Sequence, residues 1–176
     1  ASSPMALVEQ VHAIKGRKLR VLALHGGGSN SNIMKFQTTR LKVALGSQAE
    51  WLYPDASEPW NSVGERMGPI WDLYFAERSE VEKRLAKGQP FVSWFNLIAD
   101  TDNLHPEPAS YRRSHETLRE YVERSGPIDV VIAFGMSSIV INRVALEFQK
   151  EGRPIPWKMN IFFCASGPTR EDSVTE

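Results

Sequence analysis

Asp129-Val130-Val131-Ile132-Ala133-Phe134-Gly135-Met136-Ser137-Ser138 is the stretch that decides the fold. Asp129–Phe134 is a short apolar run rich in β-branched residues, the pattern of a strand covered on both faces. Gly135 interrupts the run. Ser138–Lys150 then carries Ile139, Val140, Val144, Ala145 and Phe148 near helical spacing. A buried strand that turns through a small residue into a helix is the building unit of a parallel α/β sheet.

Outward from this unit the same alternation recurs. Lys18–Leu24 reads as a second buried strand, broken by Gly26–Gly28. Ser31 or Asn32 can cap a helix running to about Leu45, with Gly46 as its stop. Ala49–Tyr53 is a further strand, ended by Pro54-Asp55. Residues 56–96 are irregular, punctuated by glycine and proline, with Trp60, Trp71, Tyr74 and Phe75 among them. Within them Arg78–Lys87 is helix-prone and charge-rich, the run Glu77–Lys87 reading as a solvated face, and Phe91–Phe95 reads as a short lid or loop. Asp100–Pro108 reads as a polar loop and Tyr111–Ser125 as an amphipathic helix. Gly126-Pro127 ends that helix, and Met159–Ala165 is a last buried strand. Residues 1–17 form a lead-in, with Met5–Ile14 a marginal helix or strand, and residues 18–176 form a single domain.

Composition narrows the function classes. Lysine plus arginine and aspartate plus glutamate number 21 each, so bulk charge gives no argument for nucleic acid or an anionic membrane as partner. No apolar run approaches transmembrane length. The single Cys164 rules out an internal disulfide framework and points to a reducing compartment, cytoplasm or organelle. A chain that begins Ala1-Ser2-Ser3-Pro4 implies N-terminal processing. No pair or trio of His, Cys, Asp or Glu has metal-ligand spacing, so neither a metal nor another cofactor is expected.

Several separated pieces together resemble the FSH family of serine hydrolases, a branch of the α/β-hydrolases. They are Val21-Leu22-Ala23-Leu24-His25-Gly26 with the following Asn32, Tyr53-Pro54-Asp55-Ala56 and Pro90-Phe91-Val92-Ser93-Trp94-Phe95. Leu118-Arg119-Glu120-Tyr121-Val122, Gly126-Pro127-Ile128-Asp129-Val130-Val131-Ile132 and Ser166-Gly167-Pro168 complete the set. The resemblance implies a mostly parallel sheet with helices on both faces, and carboxylic ester or thioester substrates cleaved through an acyl-serine. Because the chain stops at Glu176, it also implies a fold shortened at its C-terminal end.

The nucleophile of such a fold sits on a strand-to-helix elbow, G-x-S-x-G. In the register set by Gly126-Pro127 and Asp129, Gly135 takes the serine position, and Ala133 and Ser137 take the flanking glycine positions. Glycine adopts the elbow's positive φ freely, so the turn survives without its hydroxyl. A second register makes Ser137 the nucleophile but places β-branched Ile139 where glycine belongs. The histidine of the triad follows the serine in such folds. Here His12, His25, His105 and His115 all precede the elbow, and Asp172 lies too near the last strand to match the acid. His25 reads as a brace for a remnant oxyanion hole of backbone amides at Gly26, Gly27 and Met136. His115 reads as a helix residue at the surface or half-buried, His105 as solvent-exposed and Cys164 as strand core. Trp60, Trp71 and Trp94 read as core, a partner surface or the wall of an acyl pocket.

The expectation is therefore a catalytically inactive serine-hydrolase homologue kept as an accessory or structural subunit, with a protein partner covering the shortened sheet edge. The first alternative is an active esterase or thioesterase using Ser137, with a base from His25 or another chain. The second is a module that binds a small-molecule, acyl or ester ligand without chemistry.

Overall fold

The structure is a computed structural model that describes residues 17–60, 78–99 and 104–165. Four strands form its central sheet: β1 (Leu19–Leu24), β2 (Ala49–Leu52), β7 (Val130–Phe134) and β8 (Met159–Phe163). Their order is β2-β1-β7-β8, and every pairing is parallel. The register places Leu24 beside Ala133 and Ile132 beside Ile161. Helices α1 (Ser31–Gln37) and α2 (Thr39–Leu45) follow β1, and a 3-10 turn, Gly46–Gln48, leads into β2. Then come β3 (Glu58–Pro59), α3 (Glu80–Ala86), β4 (Val92–Ser93), β5 (Leu97–Ala99) and β6 (Leu104–Pro106). Helices α4 (Pro108–Ser125) and α5 (Met136–Lys150) flank β7. β3 and β4 form one antiparallel ribbon, β5 and β6 another.

The α/β architecture with helices on both faces is as the sequence implies, but several boundaries differ for local reasons. The helix read from 31 to 45 is two helices. At the break the Thr38 Oγ1 hydroxyl donates back to Met34 O at 2.8 Å and lies 2.8 Å from the Tyr53 hydroxyl. Such back-bonding competes with the helix ladder. The cap is Asn30, neither Ser31 nor Asn32: its side chain accepts from the Ile33 amide at 3.1 Å and donates to Pro90 O. α4 starts at Pro108, within the stretch read as loop, because Glu107 accepts from the Ala109 and Ser110 amides and Pro108 needs no hydrogen-bond donor there. That loop also contains β6, paired with β5. α5 starts at Met136, two residues earlier than its apolar pattern suggests. Cys164, read as strand core, is exposed just beyond β8, at φ 49°. Residues 1–16 of the lead-in, Trp71, Tyr74, Phe75, Ser166–Pro168 and Asp172 lie outside the described residues.

The two sheet faces are covered unequally. On one face Leu22, Leu24, Val131 and Ala133 pack under α4 and α5, joined by Tyr111, Leu118, Val122, Val140, Val144 and Phe148. On the other, Val21, Ala23 and Ile132 are buried with Met34 of α1. Around them Leu19, Trp51, Tyr53, Val130, Phe134 and Ile161 remain partly uncovered. Met159 and Phe163 of β8 are exposed, and α2 buries no residue.

The amino ends of β1 and β7 are joined by one carboxylate. Buried Asp129 accepts two hydrogen bonds from Arg17 at 2.7 Å each and one from the Arg20 amide at 2.9 Å, with Lys158 Nζ 3.6 Å away. Burial pushes its carboxyl up, but Arg17, the Arg20 amide and Lys158 outweigh that and hold it below its ordinary 3.8. A depressed carboxylate contributes stability above its unfolded value, lost as pH falls through the folded one. Asp129→Asn is expected to lower the unfolding free energy at neutral pH by about 1–3 kcal/mol and to weaken the loss of stability below about pH 4. Urea titrations of both proteins across that range measure it.

Candidate active site

At the carboxyl edge of the sheet, β1 runs into the Gly26–Gly28 loop and β7 runs into Gly135. Gly135 is the turn itself, at φ 50°, ψ −118°, and it caps α5. Its amide donates to Phe163 O at 3.0 Å, tying the turn to β8. A side chain here is strained by the positive φ: among the described residues an added Cβ would find Cys164 O at 3.9 Å and nothing nearer. Among the described residues a Cβ fits on this turn, and glycine carries no hydroxyl there.

Ser137 lies one turn into the structure's interior, fully buried. Its Oγ accepts from the Phe134 amide at 2.9 Å. Its single proton faces Phe134 O at 2.9 Å and Leu24 O at 3.2 Å. The hydroxyl thus links the ends of β1 and β7 to the first turn of α5, with no open side. Ser138 Oγ is likewise occupied, donating to Gly135 O at 2.6 Å.

His25 is fully buried. Its Nδ1 sits 2.7 Å from Gly26 O, which requires a proton on Nδ1, and its Nε2 accepts from the Ala56 amide at 3.1 Å. Both ring nitrogens are therefore committed to backbone in the neutral form. Burial lowers its pKa, and Gly26 O and Asp55 offset this only in part. Asp55 is 3.9 Å from Nε2, and its carboxylate accepts from the Ser31 amide and hydroxyl. Trp94 lies against the imidazole, ring centroids 5.2 Å apart, and its indole N–H donates to His25 O at 2.7 Å. This stitching fixes the glycine loop relative to β2 and β4.

The glycine loop is closely overlaid. A Cβ on Gly27 would collide with Met136 Sδ, and one on Gly28, at φ 61°, with Arg78 Nη2 and Trp60. Met136 also accepts from Ser93 Oγ at 3.6 Å. The structure thus brings together Gly27, Gly28, Met136, Trp60 and Arg78, with Gly26 packed on Phe134 and Gly135 on the adjacent turn. It does not bring Ser137 and His25 together as nucleophile and base, since each is saturated by backbone. Beyond Trp94 lies a cavity of ≈ 60 Å³, lined by Asp55, Ala56, Ser114, Leu118 and Tyr121 among others. His115 is buried on α4 with Nδ1 3.0 Å from Glu147, and His105 is half-buried in β6 where solvent exposure was expected. Trp94 is core and Trp60 is partly buried against it. Sequence reading missed Arg78 at the site, because its guanidinium reaches the loop only through tertiary packing. Among the described residues no three His, Cys, Asp or Glu gather as metal ligands, and no helix is long and apolar enough to cross a membrane.

A parallel sheet whose strand-to-helix elbow faces a glycine loop defines an α/β-hydrolase-like fold. The family model described as Serine hydrolase (FSH1) matches residues 14–175, and the chain belongs to that family. It is 28% identical over 160 residues to Esterase FPY3 of Fusarium mangiferae, covering 89% of this chain and 62% of that one. It is 26% identical over 144 residues to the dihydromonacolin L-[lovastatin nonaketide synthase] thioesterase of Aspergillus terreus, covering 78% of this chain and 50% of that one. Among solved structures it resembles Zea mays acyl-protein thioesterase 2 in fold, with TM-score 0.51, 18% identity, 88% of this chain and 60% of that one. The chain thus spans between half and two-thirds of the lengths of these relatives.

Two outcomes follow from the buried groups. Because the folded His25 titrates below its ordinary 6.5, the unfolded chain takes up that proton first as pH falls. The stability it permits is full above about pH 6.5 and declines towards the lower folded value. His25→Leu is expected to lower stability at neutral pH and to remove its share of that decline, read by urea unfolding between about pH 5 and pH 8. Ser137→Val is expected to cost about 1–3 kcal/mol, since it leaves the Phe134 amide without its acceptor. Thermal unfolding of the variant checks this.

Proposed function

We propose that this chain binds ligands of the carboxylic ester or thioester class without forming an acyl-enzyme on its own elbow. The reading makes it an accessory member of its family. The observation that carries it is Gly135: a strand-to-helix turn at positive φ, where a nucleophile elbow would carry its serine and this chain carries no side chain. The ligand class comes from the names of the relatives, an esterase and a thioesterase. Acyl transfer needs a nucleophile beside a base. Among the described residues, Ser137 and His25 are both engaged with backbone in the folded state.

An accessory role also draws support from the half-covered sheet. Parallel sheets are ordinarily buried on both faces. Trp51, Tyr53, Phe134, Ile161, Met159 and Phe163 present an apolar surface that a further polypeptide element would bury, beside the outer edge of β8. A covering protein partner is part of this reading.

The second reading, an active esterase or thioesterase, is favoured by the relatives' names. It requires Ser137 to exchange its backbone partners for a base, or a nucleophile and base from polypeptide beyond the described residues.

A fluorophosphonate probe separates the two. Under the first reading the native protein, treated beside a reactive family member, acquires no stoichiometric serine adduct by intact-mass measurement. A stoichiometric adduct mapped to Ser137 would overturn it and establish the second reading.

A further inference from the structure

We propose that Arg78 is an oxyanion-binding residue at the glycine loop, there to receive a carboxylate or phosphate group carried by the ligand. The inference rests on the ligand-binding reading above for its setting and on Arg78 itself for its chemistry.

The guanidinium is placed by aromatic packing. Its central carbon lies 4.9 Å from the Trp60 ring centroid and 5.8 Å from that of Phe91. Nη2 rests on the Gly28 backbone, so closely that any side chain at 28 would displace it. A guanidinium held over aromatic rings keeps its in-plane donors for recognition, and those donors match a carboxylate or phosphate in a fixed fork. Lysine could not supply the fork.

One of those donors is unused. Nε is buried without a hydrogen-bond partner among the described residues. The acidic neighbour is Glu82, whose Oε1 stands 3.5 Å from Nη1, the outer limit of a hydrogen bond. Glu82 has another task. Its Oε2 accepts from the Ser79 amide at 2.9 Å and the Ser79 hydroxyl at 2.8 Å, closing the capping box that starts α3. Those bonds orient the carboxylate towards the helix start, so that Glu82 meets the guanidinium only at Nη1 and leaves Nε unmatched. A buried guanidinium N–H without an acceptor is costly, and an oxyanion removes that cost.

The location gives the inference its function. Through Gly28, Trp60 and Gly27, Arg78 is continuous with Met136 and hence with the elbow at Gly135. A ligand lying over the glycine loop would meet a fixed positive charge on one side and the uncharged elbow on the other. The shared chemistry is an oxyanion, and two sources carry it: a carboxylate on the acyl portion or a phosphate on the group it is esterified to.

The test uses the whole chain, three small probes and a direct view of the guanidinium. Sodium octanoate, its neutral isostere octanamide and inorganic phosphate are titrated while the Arg78 Nε–H resonance is followed by nitrogen-15 NMR, assigned by its loss in Arg78→Lys. A carboxylate site is expected to shift that resonance with octanoate and to bind octanoate about tenfold or more tightly than octanamide, the preference vanishing in Arg78→Gln. A phosphate site is expected to shift the resonance with phosphate and not with octanoate. Either result supports the proposal. Equal affinities for octanoate and octanamide, with the resonance unmoved by all three probes, would overturn the anion site while leaving acyl binding intact. A resonance moved by phosphate alone, with neither octanoate nor octanamide bound, would instead keep the anion site and count against the acyl-ligand reading.

Discussion

The close approach of α5 to the ends of β1 and β7 is the constraint on which the rest of this structure depends. The chain must leave β7, reverse, and start a helix against the sheet within three residues. Gly135 supplies the positive φ that the reversal requires. Ala133 and Ser137, both without exposed surface, supply the narrow flanks. Ser137 is more than small. Its hydroxyl replaces backbone partners that the turn leaves open, bonding to Phe134 on one strand and Leu24 on the next. One side chain therefore sets the height of α5 above the sheet and, through Leu24, the start of the glycine loop.

The loop is then held from above and below by groups whose chemistry is spent on structure. His25 is a potential base by type, yet its environment makes it a neutral two-ended strut between Gly26 and Ala56. Asp55 is a potential acid by type, yet it secures Ser31 at the start of α1. Trp94 closes the arrangement by packing its tilted ring against His25 and donating to its carbonyl. Among the described groups near the elbow, the Arg78 Nε–H is left without an acceptor. The titratable groups His25 and Asp55 are thus engaged with the frame of the loop.

The sheet has one finished face and one unfinished face. Under α4 and α5 the packing is continuous, from Trp94 and Phe95 to Trp157. Across the sheet, Met34 of α1 buries against Val21, Ala23 and Ile132, while the outer strands keep apolar residues in partial contact with solvent. β8 shows this most clearly: Phe163 stacks on Phe134 with ring centroids 4.8 Å apart and is still exposed. Burial of such surface stabilises by roughly 25 cal/mol per Å², so a covering element would gain substantially from it.

Strand and helix identity was legible because buried strands and amphipathic helices write their periodicity directly into sequence. Val130–Phe134, Leu19–Leu24 and the two long helices α4 and α5 follow from apolar spacing alone, as does the Gly135 turn between them. The break at Thr38, the Asn30 cap and the start of α4 at Pro108 were less legible, because each turns on which of several adjacent polar side chains wins a backbone partner. The site divides the same way. Sequence alone determined that every histidine precedes the elbow and narrowed the elbow residue to Gly135 or Ser137; the structure puts the turn at Gly135. Tertiary structure alone decided that Ser137 and His25 are saturated by backbone and that Arg78 lies on Gly28. Hydrogen-bond saturation and burial are properties of neighbours brought together across the fold, and spacing along the chain does not encode them.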